Sequence, residues 1–228
     1  MNYSTTIIKV VLYILTVFFK VSPLFAQLSI GVKGGINAAT EKFSTINLYL
    51  NPPSTFGYYT HVKLIRSYGG IFLNYRLQKP FSFQAELLLS GEGDNLKNEN
   101  TDVIYMDRQI FLNFPLMVHY HFFMNSYIEA GPFFGILLAA TANYNATGLS
   151  NGTTFNSKNY YQGTQSGLAF GLGHAFRRGI LSNFGIGIRS VRNLSTIAKS
   201  DNSLIGKGDV LNRNLNIGIS YRWPLNRR

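Results

Sequence analysis

Cysteine is absent from the 228-residue chain, and with it go disulfide frameworks, thiolate zinc sites, thiol nucleophiles and a lipid-modified N-terminal cysteine. Charge is scarce as well. Asp, Glu, Lys and Arg make up 14% of the residues, against ~25% in an ordinary soluble domain. No stretch after Ala26 reaches 18 consecutive apolar residues, which excludes a membrane-spanning helix from that part of the chain. Tryptophan occurs once, yet the other aromatics are plentiful, with 14 Tyr and 18 Phe, and glycine reaches 22. Few charges among many aromatics and glycines suit a chain whose outer surface meets lipid, although a β-rich secreted protein can share this composition.

The formal net charge is +11. Lys9 and Lys20 fall in a leader expected to be removed, leaving 11 − 2 = +9. The remaining basic residues are scattered without a run of five, which argues against a nucleic-acid partner. Anionic outer-membrane lipid and lipopolysaccharide are partners that such a charge suits. Lumen and loop charges that happen to be basic are the plainer account.

Residues 1–26 read as a cleavable signal peptide. An apolar stretch from Ile7 to Phe19, broken by Lys9, is followed by Ser22-Pro23-Leu24-Phe25-Ala26-Gln27. Pro23 and then the small Ala26 predict cleavage before Gln27. The apolar run is too short to span a bilayer as a retained anchor. Residues 27–228 then form one domain.

Period-two alternation is clearest near the C-terminus. Leu215, Ile217, Ile219, Tyr221 and Trp223 share one face, and Asn214, Asn216, Gly218, Ser220 and Arg222 the other. Similar stretches recur at about 28–37, 66–77, 81–92, 106–122, 126–140, 164–176, 181–192 and 213–223. The connections alternate in kind. Long ones, rich in Asn, Ser, Thr and Gly, lie near 38–65, 93–105, 141–163 and 193–212. Short ones lie at Gln78-Lys79-Pro80, around Phe123-Met124-Asn125 and at Arg177-Arg178-Gly179. A membrane chain without apolar helices satisfies its backbone in lipid only as a closed barrel. Outer-membrane barrels pair long outer loops with short periplasmic turns. The pattern therefore predicts an all-β, eight-stranded antiparallel up-and-down transmembrane barrel with both mature termini in the periplasm. Its lipid face would carry residues such as Ile30, Val32, Ile71, Leu73, Phe114, Leu116, Phe170, Leu172, Ile186 and Ile188. Its lumen would collect Lys33, Arg76, Glu86, Glu129, Arg189 and Arg222, a structural charge network, since buried charges must be paired.

Ile30-Gly31-Val32-Lys33-Gly34-Gly35-Ile36-Asn37 resembles the first strand of the PorT-like family of outer-membrane β-barrels. Leu112-Asn113-Phe114-Pro115-Leu116-Met117-Val118-His119-Tyr120 resembles that family's proline-containing strand, and Ile128–Gly135 follows it after a short turn, as there. The closing Leu215–Trp223 strand is similar too, except that Pro224 to Arg228 trail past the usual terminal aromatic. The resemblance covers the mature chain and implies a porin-like barrel, inserted by the barrel-assembly machinery through its C-terminal strand.

Candidate chemistry is thin. His119 and His121 lie two apart on one strand and face the lumen. Such a pair can chelate a metal with Glu129 as a third ligand, but lumen hydrogen bonding is the simpler role. His174 reads as lipid-facing, toward the other end of its strand, and His61 as a residue of an outer loop. Ser90, Asp94, Asp102 and Asp107 surround the second long loop with no spacing that selects a nucleophile or base. No cofactor or metal is expected and no enzymatic activity. The expected protein is a membrane-structural or docking element with possible protein partners at its outer loops. A small pore or secretion accessory is one alternative. A soluble barrel with inverted faces and an apolar ligand inside is the other.

Overall fold

The computed structural model describes residues 27–43, 59–77, 80–98, 104–145, 153–176, 179, 181–199 and 210–224. The predicted signal peptide, Arg177–Arg178 and the basic tail lie outside these residues. Ten strands form: β1 (Gln27–Phe43), β2 (Tyr59–Val62), β3 (Leu64–Arg76), β4 (Phe81–Asn98), β5 (Ile104–His121), β6 (Ser126–Asn145), β7 (Thr153–Asn156), β8 (Thr164–Ala175), β9 (Phe184–Asn193) and β10 (Val210–Pro224). Eight of them close a ring. Each long strand pairs antiparallel with its neighbour in the order β1, β3, β4, β5, β6, β8, β9, β10, and β10 returns to β1 from Val210↔Phe43 to Pro224↔Ser29. Closure leaves the ring no free edge, the condition a sheet must meet in hydrocarbon.

The side chains sort as the alternation requires. Ile30, Val32, Ile71, Leu73, Phe114, Leu116, Phe170, Leu172, Ile186 and Ile188 are exposed on the outside. The alternate positions Asn37, Asn74, Gln84, Glu86, Asn113, Glu129, Arg189 and Asn214 are buried within. The inverted, soluble arrangement is therefore not the one this chain adopts.

Two details differ from the sequence expectation. The ladders run beyond the apolar alternation into the stretches read as loops. β1 and β10 stay paired up to Phe43↔Val210, β4 and β5 to Lys97↔Ile104, and the short β2 and β7 extend the sheet on β4 and β6. Past the hydrocarbon the outward face no longer has to be greasy, so the strand signal fades while the backbone pairing continues. Conversely, the strand expected from 181 starts at Phe184. Leu181–Asn183 form a turn, with Asn183 at φ 81° and its N–H on Phe176 O at 3.1 Å. Asparagine tolerates this left-handed conformation through its short polar side chain.

Prolines interrupt the wall. Between β4 and β5 the paired register skips Glu86 and Leu87 against Phe114 and Pro115. Between β5 and β6 it skips Leu116 and Met117 against Gly131 and Pro132. Neither proline has an N–H to give the ladder. Higher up, a bulge between Ile110 and Phe111 inserts Leu138 on β6, so Leu138 and Ala139 both face outward while Leu137 and Ala140 face in.

Candidate functional site: a filled lumen

An eight-stranded barrel is just wide enough for its own side chains to fill. Glycine creates the space for large ones. A Cβ on Gly31 would lie 2.2 Å from the Phe72 ring, one on Gly218 2.2 Å from the Tyr68 hydroxyl, and one on Gly173 2.3 Å from the Tyr127 ring. Each aromatic lies over a glycine on another strand, Phe72 and Tyr127 over their direct cross-strand partners.

In the half nearer the short turns, four charged residues meet. Arg189 on β9 forks to two carboxylates. Its Nε and Nη2 donate to Glu129 Oε1 and Oε2 at 2.6 and 2.9 Å, and its Nη1 and Nη2 to Glu86 Oε2 and Oε1 at 2.7 and 2.8 Å. Lys33 Nζ adds a third contact to Glu86, at 3.0 Å from Oε1. Two bases and two acids from four strands thus make a neutral layer across the barrel, and bidentate guanidinium pairs are the geometry that best compensates a buried charge. The cavity left beside it, among Lys33, Tyr68, Tyr127, Arg189 and Arg222, is about 20 Å³, room for about one water.

The other two predicted members are not among these four. Arg222 faces inward with its guanidinium carbon 5.9 Å from the Phe72 ring centre, and Arg76 sits at the short-turn end of β3, its Nε without a hydrogen-bond partner. His119 is fully buried and stacked on Tyr127 at 4.6 Å between ring centres. Its Nε2 is 3.1 Å from Glu129 Oε2, off the line that a hydrogen bond requires. His121 is half-buried, with Nε2 at 2.8 Å from Ser82 Oγ. Among the described residues no three of His, Asp and Glu come together as a metal site. His174 does face outward, but at the short-turn end, where its Nδ1 is 3.0 Å from Ser126 Oγ.

Toward the long loops the filling changes from ion pairs to amides. Glu92 accepts from Asn113 Nδ2 at 2.9 Å, Asn212 Nδ2 at 3.0 Å and Gln165 Nε2 at 3.3 Å. Gln109 Nε2 donates to both Glu41 Oε1 and Asp107 Oδ2, at 2.7 and 2.6 Å. Of the loop residues singled out from sequence, Ser90 is buried inward and Asp107 is held by Gln109 and Ser157. Asp94 is paired with His61, and Asp102 is outside the described residues. This amide–carboxylate set escaped the sequence reading, although a signal was present. Glu86, Glu92 and Asp94 are even positions of one strand, and Asp107, Gln109 and Asn113 odd positions of the next, so each set shares a face.

Alongside the amides sits an apolar cap. Phe111, Leu137, Ala140 and Val210 from the barrel pack on Tyr161, Ile197 and Ala198 from the connections, all nearly or fully buried. Backbone bonds tie the cap down, from Gln162 N to Ile197 O at 2.6 Å and from Ile197 N to Val210 O at 2.8 Å.

A closed sheet with a greasy exterior and a polar, packed interior defines an integral β-barrel membrane protein. Residues 25–199 match the family model described as "Outer membrane protein beta-barrel domain"; the chain belongs to that family and is an outer-membrane barrel. Among curated proteins none matches the chain. Among solved structures it is similar to Ail of Yersinia pestis, solved in complex with the heparin analogue sucrose octasulfate, at 11% identity over 86% of this chain and 99% of that one, TM-score 0.41. It is similar to Neisserial surface protein A at 12% identity over 87% and 99%, TM-score 0.40. OprG of Pseudomonas aeruginosa follows at 12% over 86% and 95%, TM-score 0.38.

Proposed function

We propose that this protein is a non-enzymatic, non-conducting barrel that presents a docking platform at the cell surface. The long connections face outward in this reading, and both mature termini face the periplasm. The observation that carries it is the packed lumen. An ion-paired layer crosses the half near the short turns, and an amide–carboxylate layer with the apolar cap beside it fills the half toward the long loops. A barrel built for permeation would have to break both. Beyond the hydrocarbon, the paired extensions of β4–β5 and β6–β7 hold a firm base on which a protein partner could bear. Ile30–Asn37 and Leu112–Tyr120 support the finer placement among PorT-like barrels.

Planar-bilayer recording tests the reading. The purified protein is expected to insert without discrete current steps. Steady unitary conductance that changes in Glu86→Gln would refute it and favour the small-pore alternative.

A further inference from the structure

All six described acidic residues, Glu41, Glu86, Glu92, Asp94, Asp107 and Glu129, are buried in the interior. The exposed charges of the described wall are basic, and they gather at the long-loop end. Two of them are adjacent. Arg192 on β9 and Arg213 on β10 are direct cross-strand partners, both exposed on the outward face. Arg213 also pairs with Thr40 on β1, two residues below the exposed Lys42 on the same face. Like charges placed directly opposite repel one another, so the arrangement calls for an anion between them.

Its height names the source. From Trp223 to Arg213 is ten residues of β10, or about 33 Å of strand. At a tilt of about 40° this is roughly 25 Å of height, the thickness of the apolar band of such barrels. Trp223, Tyr221 and Phe184 form an aromatic cluster at one boundary, with ring centres 4.7 and 4.9 Å apart. The arginine pair stands at the other, where lipid phosphates lie. Below the pair, toward mid-membrane, an open apolar groove crosses the outer wall, lined by Gly34, Ile36, Leu172, Ile188, Ile217 and Ile219. Gly34 contributes no side chain and so leaves the depression.

From the charged pair and the groove together we infer that Arg192 and Arg213, assisted by Lys42, bind the phosphate of an outer-leaflet glycolipid of the lipid A type, with an acyl chain lying in the groove. The inference rests on the orientation proposed above. The sequence has no cysteine, so labelling Lys63→Cys on whole cells with an impermeant maleimide tests that orientation separately.

The experiment compares wild type, R192Q/R213Q and the control R177Q/R178Q in a neutral detergent, each verified as folded by its heat-dependent gel shift. Native mass spectrometry measures binding of bisphosphorylated lipid A, dephosphorylated lipid A, phosphatidylglycerol and inorganic polyphosphate. Wild type and control are expected to prefer bisphosphorylated lipid A, and R192Q/R213Q to bind it about tenfold more weakly or worse. Equal binding by wild type and R192Q/R213Q overturns the inference. So does equal binding of the dephosphorylated lipid, of phosphatidylglycerol or of polyphosphate by wild type. A second readout is the sign of the stability change. R213Q should leave the melting temperature unchanged or raised in neutral detergent, by relief of repulsion, and lower it once lipid A is added. A fall in detergent alone would mean the arginines are already neutralised within the chain, and the inference would fail.

Discussion

Replacing Arg189 by Met puts the packed lumen to its hardest test. The guanidinium makes four contacts of 2.6–2.9 Å to two carboxylates, and Met fills much of the same volume without them. Glu86 would keep Lys33 as a cationic partner, and Glu129 would be left facing His119. Breaking a buried pair by removing one member costs about 3–5 kcal/mol, a factor of roughly 10² to a few times 10³ in the folding equilibrium. The single tryptophan, Trp223, sits on the closing strand, so urea titration in micelles followed by its fluorescence reports loss of the ring. The expected result is a fall of ~3–5 kcal/mol for R189M. Removing every charge of the layer, in K33M/E86Q/E129Q/R189M, should recover most of that loss, because a neutral packed layer replaces an unpaired carboxylate. A loss below ~1 kcal/mol for R189M would place the layer in water-like surroundings. The lumen would then be wet at this level and the charged layer would not close it.

Gly173→Ala should destabilise by about 1–3 kcal/mol through the clash with Tyr127, and Tyr127→Ala in the same chain should relieve most of that increment; a double-mutant cycle in urea checks it, and additive losses would show the contact to be irrelevant. Ile219→Pro removes a donor from a strand paired on both sides, with Gly34 and Ile186. It should cost ~3 kcal/mol or more, seen as loss of the folded band on unboiled gels. His61, on the extension beyond the membrane band, has its pKa raised by its hydrogen bond to the Asp94 carboxylate, against a smaller lowering from burial. A raised folded value means the contact stabilises fully below the ordinary imidazole pKa of ~6.5 and is lost as pH rises through the folded value. Intrinsic-rate-corrected hydrogen exchange at Tyr59–Val62 should therefore show protection falling with rising pH, and His61→Gln should flatten that dependence.

The wall was legible because lipid demands strict alternation. Ile217, Ile219 and Tyr221 could sit nowhere but on one face, and the acids and arginines of the membrane section had to take the other. The rims were less legible for the same reason. Once Lys42, Lys97 and Arg213 mark the end of the greasy face, Asn- and Thr-rich sequence looks like loop although the ladder continues beneath it. Inside, the sequence put six charges in one compartment but could not set their heights. Strand stagger brings Glu86, Glu129 and Arg189 to one level and leaves Arg76 at the rim. Stagger is a property of pairing across the ring, and no single strand encodes it. The cap was invisible to periodicity, because Tyr161 and Ile197 belong to irregular segments whose burial depends on each other.

That cap takes Phe111 from β5, Leu137 and Ala140 from β6, Val210 from β10, and the rest from the two intervening connections. No shorter stretch than Phe111–Val210 contains all of its parts, so the cap cannot be complete before the last strand, β10, is in place. A chain that stops after β9 holds Phe111, Leu137 and Tyr161 without the Val210 that packs on them. The cap thus makes burial of residues near the middle of the chain depend on the arrival of its final strand.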